Sequence, residues 1–421
     1  MKKDLLIILV LVILSVIVFR KSFFVFFTQD DFVMIMQFSH NKVLTDLLNV
    51  FGPPKISHWR PIDNLYYFIA GNIFNKNYFA YHILTFLLHI SSAFIIYKIA
   101  LRFINNKFAS ISAGIIYAIH PAFFISFFWI SGGATVIGFF LFILAFYLYL
   151  LGKQKFSIIA YILSLLASEA MVAGVFVFIF YRYLYKSKDK NDVQWLIYLA
   201  FTTLFLIFRY IFLTPKTSAE TYSIEFNYKI FSSVKFYLLQ ILGYTNISHG
   251  LLLSVIIITW VIIILVLLFK YKDYSKNIFF LSIVLSGLFP FIFLPNHLSS
   301  HYMNISIFGF SLLFALAVKS LKPKTVIYFM ILYFILSFVT VNRTIKNNWV
   351  INRSNISKQY IESIEKSNLP NDSTIVFNDN EISSSYEAYV SLGTGRAIDF
   401  WFAQKNYKTC FVEFEICETK P

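Results

Sequence analysis

The uncharged run LLLSVIIITWVIIILVLLF, residues 251–269, constrains this chain more than any other feature. A helix of about 20 apolar residues spans the hydrocarbon of a bilayer, and inside lipid only a helix or a closed barrel satisfies its own backbone. Runs of the same kind recur near 5–24, 80–101, 108–126, 133–151, 156–168, 170–185, 194–213, 277–294, 303–318 and 325–341. They lack the apolar–polar alternation of barrel strands. The sequence therefore predicts an all-α polytopic membrane protein with about 11 transmembrane helices. Only 14% of residues are charged, against about one quarter in a soluble domain, which excludes an ordinary cytosolic globule. Two cysteines make neither a disulfide-rich scaffold nor a CxxC zinc signature.

A net charge of +15 invites a nucleic-acid reading, but the placement of the charge argues for a membrane instead. Residues 342–421 are nearly balanced, so the excess lies in the short gaps between apolar runs. With the N-terminus in the cytoplasm, the inner gaps collect Lys2, Lys3, Lys98, Arg102, Lys107, Lys153, Lys155, Arg182, Lys270, Lys319 and their neighbours. The short outer gaps near 127–132, 168–169 and 295–302 hold no Lys or Arg. That asymmetry marks cytoplasmic loops. Arg20 and Lys21 dissent at the outer end of the first run, where snorkelling holds them at the interface. The first run lacks a small-x-small cleavage site and reads as an uncleaved anchor. The expectation is a multi-pass integral membrane protein with an extracytoplasmic C-terminus, in the plasma membrane if the host is bacterial. Its partners are membrane lipids and no nucleic acid.

The organisation follows. Residues 1–345 form a transmembrane domain with outer loops at 25–79 and 214–250, and 346–421 form a small extracytoplasmic appendage, polar and of mixed charge. Leu44, Leu47, Leu48 and Phe51 recur at helical spacing, as do Phe231, Val234, Leu238 and Leu242, which predicts two helices lying flat on the outer surface. Cys410 and Cys417 are too far apart on an extended strand to bond, so a disulfide between them needs a turn.

On this topology the unusual polar residues share one side. Asp30 and Asp31 open the first outer loop, and His58 and Arg60 lie later in it. His120 ends the third span, Glu169 sits at an outer turn, His249 closes the second outer loop, and His297 and His301 flank the tenth span. Ionisable groups beside membrane spans are functional candidates because each is costly unless paired or wet. Adjacent aspartates repel, so one pKa tends to rise; one carboxylate can act as general base while the other binds a metal, a sugar hydroxyl or a basic partner. The competing reading is a helix N-cap built from Thr28, Asp30 or Asp31. Arg60 suits bidentate phosphate binding, while Trp59 reads as an interfacial anchor. Glu169 is either a structural ion pair, with Arg60 or a histidine, or catalytic. His82 and His89, on one face of the second span, read as core histidines, and His120 with Pro121 can simply end a helix.

The order of these motifs resembles the GT-C superfamily of polyprenyl-phosphate-sugar-dependent glycosyltransferases. It runs from a first span through Asp-Asp, an amphipathic loop and [H]xRP to YHxxxxxLH (Tyr81 to His89), HP, and an acid two spans on. The nearest likeness is to the membrane portion of the transmembrane TPR-containing O-mannosyltransferases and related bacterial members. SHYMNISIFGFSLL, residues 300–313, looks like their RYLYxPSxGFxLL stretch, with His301 at the arginine position. The resemblance covers roughly 25–315 and lacks the TPR array; Ser168 stands where a Lys usually precedes the Glu, and Ile125 where an acid often follows HP.

The resemblance implies a GT-C-like fold and an inverting glycosyltransferase of the cell envelope, a class that includes protein glycosylation. Such an enzyme transfers a sugar from a polyprenyl-phosphate donor to a hydroxyl acceptor (protein, lipid or glycan) on the extracytoplasmic side. Asp30, Asp31 and Glu169 are then the catalytic candidates. His58, Arg60 and His301 bind the donor phosphate, and His120, His249 and His297 are further candidates. A lipid donor accounts for the lack of a GxGxxG or P-loop. No cofactor is certain; a divalent metal ion at Asp30 and Asp31 stays open. The alternative is a membrane transporter or flippase of a lipid-linked solute, which would more typically show internal repeats and midplane charges.

Overall fold

A computed structural model of the chain describes residues 2–38, 47–48, 50–52, 59–185, 193–213, 223–244, 254, 258, 261–262, 265–266 and 273–417. The element order is α1 (Lys2–Phe19), α2 (Asp30–Phe38), α3 (Pro61–Phe74), α4 (Tyr78–Ile104), α5 (Lys107–Ala118), α6 (Phe124–Phe128), α7 (Ala134–Leu150), α8 (Gln154–Ala167), α9 (Val175–Tyr185) and α10 (Trp195–Leu213). It continues with α11 (Lys229–Ile241), α12 (Tyr274–Leu288), α13 (Asn304–Val318), α14 (Pro323–Ile345), α15 (Trp349–Ser367), β1 (Thr374–Phe377), α16 (Ser385–Ser391), α17 (Arg396–Trp401) and β2 (Lys408–Phe411).

Among the described residues seven helical segments are long and apolar enough to cross a membrane: Asp4–Phe24, Tyr78–Ile104, Lys107–Phe128, Ile130–Leu150, Trp195–Phe212, Ser300–Val318 and Pro323–Ile345. The protein is a helical, polytopic membrane protein. Of the eleven expected spans, seven meet that measure among the described residues. The windows 156–168 and 277–294 are helices of 14 and 15 residues, and 170–185 is a 3-10 turn leading into an 11-residue helix. Such lengths fall short of the hydrocarbon thickness. The window 251–269 lies almost wholly outside the described residues.

Lys107–Phe128 and Ser300–Val318 are buried along nearly their whole length and form the centre of the bundle, whereas Trp195–Phe212 keeps an apolar, outward-facing surface. Close approach at the centre depends on small residues, as is usual between membrane helices. Gly287 of α12 faces Ser306 of α13, and Gly309 of α13 faces the α12 backbone at Phe280 and Val284.

In the first amphipathic stretch Leu48 and Phe51 are exposed, while Phe32 and Ile35 of α2 are buried in a protein core; residues 39–46 and 49 lie outside the described set. The second stretch, α11, is two-faced: Phe231 and Leu238 are exposed while Ser233, Tyr237, Gln240 and Ile241 pack inward. The chain is not purely α. Beyond α15 a two-stranded parallel pair forms, with Ile375 opposite Thr409 and Phe377 opposite Phe411. Cys410 and Cys417 are bonded across a turn that brings their Cα atoms to 5.8 Å.

This C-terminal unit shares one hydrophobic cluster with the segment between α1 and α4. Phe26, Phe27, Phe32 and Tyr67 pack with Leu392, Ala397, Ile398 and Phe400. The junction is also bonded through the backbone: Gln29 N–H donates to Ser391 O at 2.9 Å, and Ser391 O accepts from Ser357 Oγ at 2.8 Å. The segment carrying the two aspartates therefore sits against the C-terminal unit.

Candidate functional site

Asp30 and Asp31 stand at the first turn of α2, and the structure separates them. Asp31 is buried, and both its carboxylate oxygens are occupied. Oδ1 accepts from Ser131 N at 2.8 Å and Ser131 Oγ at 2.6 Å, and Oδ2 accepts from Thr28 N at 3.0 Å. The Thr28 bond is the reach-back half of a capping box. The Ser131 bonds tie α2 to the turn Ile130–Gly133 that opens α7. Burial pushes the Asp31 carboxyl up to about 7, against the hydrogen bonds from Ser131 and Thr28. Asp30 keeps solvent access. The packing around it still raises its carboxyl above the usual value, and the nearby Arg60 guanidinium pulls the other way.

Arg60 precedes α3, whose N1 position is Pro61, a residue suited to that place because its missing N–H has no helical partner anyway. The guanidinium meets Glu169 in a bidentate pair, Nε to Oε2 at 2.7 Å and Nη2 to Oε1 at 2.5 Å. Burial disfavours the Arg60 charge, and Glu169 more than restores it, so the group is firmly cationic. Glu169 follows an extended residue, Ser168, which ends α8. From α10, Arg209 Nη1 comes within 3.5 Å of Glu169 Oε2. One carboxylate thus bridges two guanidinium groups, each side chain about one-quarter exposed. Both Glu169 oxygens are thus engaged by guanidinium groups.

Two members of this cluster escaped the sequence reading. Asp63 lies in the first turn of α3, is buried, and leaves Oδ1 without a hydrogen-bond partner among the described residues. Burial pushes its carboxyl up to about 7; Arg60 lowers it and Glu169 raises it. Its signal was the RPxD spacing, an acid on the inner face of the helix that Arg60 introduces. Arg209 was counted as part of an apolar span. A guanidinium inside such a run is itself a functional signal, because the bilayer tolerates it only with a partner.

His301 and His297 border the same cluster. His301 is buried, pairs Nδ1 with Ser299 Oγ at 2.6 Å, and feels the charges of Arg60 and Glu169. Trp129 lies edge-on to His301 and also meets Trp349, which opens α15. His297 is half-buried, pairs Nε2 with Tyr302 Oη at 2.8 Å, and is held below its usual pKa by burial. Asp30, Asp63, Arg60, Glu169, Arg209, His297 and His301 therefore converge from distant stretches of chain.

The remaining candidates fall elsewhere. His120 does not join the cluster. Its Nδ1 accepts from Ala122 N at 3.2 Å, so Nε2 carries the proton and donates to Ile241 O at 3.0 Å. It caps a turn and ties α11 to the bundle. His82 and His89 are core histidines, bonded to Val25 O and Ala118 O. His58 and His249 lie outside the described residues. The Asp30–Asp31 pair fits a divalent cation poorly, because protein donors already take both Asp31 oxygens. Among the described residues no three His, Cys, Asp or Glu side chains group as metal ligands.

No protein-family model matches the chain, and no curated protein matches it.

Proposed function

We propose that this protein is an inverting glycosyltransferase of the GT-C kind, moving a sugar from a polyprenyl-phosphate donor to a hydroxyl acceptor at the extracytoplasmic face. The observation that carries the reading is the meeting of Asp30, Arg60, Glu169 and Arg209. A carboxylate with solvent access faces a cation fixed by a shared counter-ion, next to helices that border lipid.

In this reading Asp30 takes the proton from the acceptor hydroxyl. The oxygen attacks the anomeric carbon, a new C–O bond forms on the face opposite the leaving group, and the bond to the phosphate oxygen breaks. The electron pair leaves with the lipid phosphate, whose charge falls on Arg60 and Arg209. Preorganised cations at the place where charge develops are usually the largest single contribution to such catalysis. His301 supplies a further polar contact. Asp31, clamped by Ser131 and Thr28, holds the α2 start in place. The Cys410–Cys417 bond supports the outer location, since disulfides persist in oxidising compartments.

The test uses the full chain in lipid nanodiscs with radiolabelled polyprenyl-phosphate sugars. Asp30→Asn should lower transfer by about 10²–10⁴-fold, the range for loss of a positioned base. Arg60→Ala should lower it comparably. Wild-type turnover in both variants would sink the proposal. Movement of intact donor across a sealed bilayer without bond cleavage would favour the transporter alternative.

A further inference from the structure

The span Asp4–Phe24 ends in two adjacent cations, Arg20 and Lys21, at the start of a 3-10 turn, Arg20–Phe24. They stand at the end of α1 that leads into the aspartate segment, and Lys2 and Lys3 stand at the other. Both side chains are exposed, and among the described residues neither has an ion-pair or hydrogen-bond partner. A cation in a membrane span is costly unless an anion or water meets it.

The exposed face of α1 identifies what lies beside them. Leu6, Leu9 and Ile13 are exposed, and the same face continues through Val16 to Arg20 in steps of three and four residues. Such a stripe on a membrane span meets acyl chains, so Arg20 faces lipid. At about 1.5 Å per residue Arg20 stands about 25 Å along the helix from Lys3, less than the hydrocarbon thickness of about 30 Å. With Lys3 in one headgroup layer, Arg20 reaches the other by extending its side chain along the helix. The turn beneath it is anchored: Phe23 is buried, its ring 5.3 Å from that of Phe86. Side chains at i and i+3 eclipse in a 3-10 helix, so Lys21 stands over Phe24. Phe24 is 70% exposed and its ring lies 6.0 Å from that of Phe79, at the start of α4 and also exposed.

We propose that Arg20, Lys21, Phe24 and Phe79 form a binding site for an anionic phospholipid. The lipid phosphate lies between the guanidinium and the ammonium, and Arg suits its oxygens bidentately. The acyl chains run past the two phenyl rings and down the Leu6–Ile13 stripe. A free phosphate ion would use the cations and leave the rings uncovered. Cations at a helix C-terminus also complement the macrodipole, but that effect is indifferent to which lipid is present. The site is built on α1 and α4 without Arg60, Glu169 or Arg209, and it stands whether or not the charged cluster transfers sugar.

The experiment titrates the full chain in dodecyl maltoside with dioleoyl-phosphatidylglycerol or dioleoyl-phosphatidylcholine and reads bound lipid by native mass spectrometry. The anionic lipid should bind about tenfold tighter or more, since each Lys or Arg near an anionic headgroup is worth about fivefold. Arg20→Gln combined with Lys21→Gln should abolish that preference, and Arg20→Lys should keep most of it. Phe24→Ala, which removes apolar contact and no charge, should weaken both lipids alike. Lys366→Gln with Lys408→Gln lowers the net charge equally at two exposed sites of the C-terminal unit and should leave the preference intact. Arg20, Lys21 and Phe24 are exposed, so thermal unfolding in lipid-free detergent should match the wild type in every variant. Equal affinity for the two lipids or a preference that survives in the double variant would overturn the proposal. So would an equal loss in the Lys366 and Lys408 variant, or displacement of the bound lipid by millimolar inorganic phosphate. Because the readout is lipid binding, a negative result here and a negative result in the transfer assay are independent.

Discussion

Asp63 is the residue whose chemistry departs furthest from a surface carboxylate. Burial lifts its folded pKa to about 7 from the ordinary aspartate value of 3.8, so between those values the folded state holds a proton that the unfolded chain releases. Stability therefore falls as pH rises from about 4 to about 7. Asp31 adds a slope of the same sign over the same window. Asp63→Asn keeps the shape and removes one of the two contributions. Its unfolding midpoint should depend less steeply on pH than the wild type's, and the variant should gain stability of the order of a kcal/mol or more at pH 8. Chemical denaturation in detergent at pH 5 and pH 8 measures this, and parallel slopes for the two proteins would contradict it. Glu169→Gln acts in the opposite direction. It leaves Arg60 and Arg209 facing each other across a neutral amide and should cost about 1–3 kcal/mol, discounted from a fully buried pair because the side chains are partly solvated. The sequence made Arg60 and Glu169 visible because they stand in the gaps between apolar runs. It hid Asp63 behind an ordinary first-turn acid and Arg209 inside an apolar run.

Between elements, the structure depends on contacts that periodicity does not encode. Asp31 joins α2 to the turn before α7 through Ser131, a residue one hundred positions away with no motif of its own. Ser131→Ala removes the 2.6 Å hydroxyl bond while keeping the backbone bond, and at pH 8, where Asp31 is ionised, should destabilise by about 1.5–3 kcal/mol, the value of a hydrogen bond to a charged group. The same measurement on Ser367→Ala, whose hydroxyl only bonds its own helix at Ile364 O, should show much less. Gly309 makes a second such joint: a Cβ there would stand 2.6 Å from Val284 N and 2.9 Å from Phe280 O. Both atoms are backbone, so Gly309→Ala must push α12 and α13 apart, and a loss of about 1–3 kcal/mol is expected from overpacking. Long apolar runs were legible because lipid imposes a length and a composition on them. The 14- and 15-residue helices α8 and α12 satisfied the composition without the length, and hydropathy alone does not separate those two cases.

At the scale of the whole molecule, the C-terminal unit looked like an appendage in sequence because its polar composition contrasts with everything before it. Its place in the fold is different: it backs the loop that presents Asp30. The contact is tightest at Gly393, where φ is +57° and a Cβ would come within 2.5 Å of Gln29 O, next to the aspartate pair. Gly152 has φ +74° and nothing within 4 Å of its would-be Cβ. Substituting alanine at both sites separates two effects. Each variant bears the cost of a left-handed backbone, about 1 kcal/mol, but only Gly393→Ala also displaces the Gln29 carbonyl and with it the start of α2. Transfer activity should therefore be close to wild type in Gly152→Ala and fall by about tenfold or more in Gly393→Ala, since misplacing a catalytic group by about 1 Å is enough for such a loss. Equal activity in the two variants, with Gly393→Ala as well folded as Gly152→Ala, would mean that the C-terminal unit does not position the aspartate loop. A selective loss would make residues 349–417 part of the catalytic architecture, coupled across more than 350 positions of chain by the Thr28 and Gln29 contacts to Ser391.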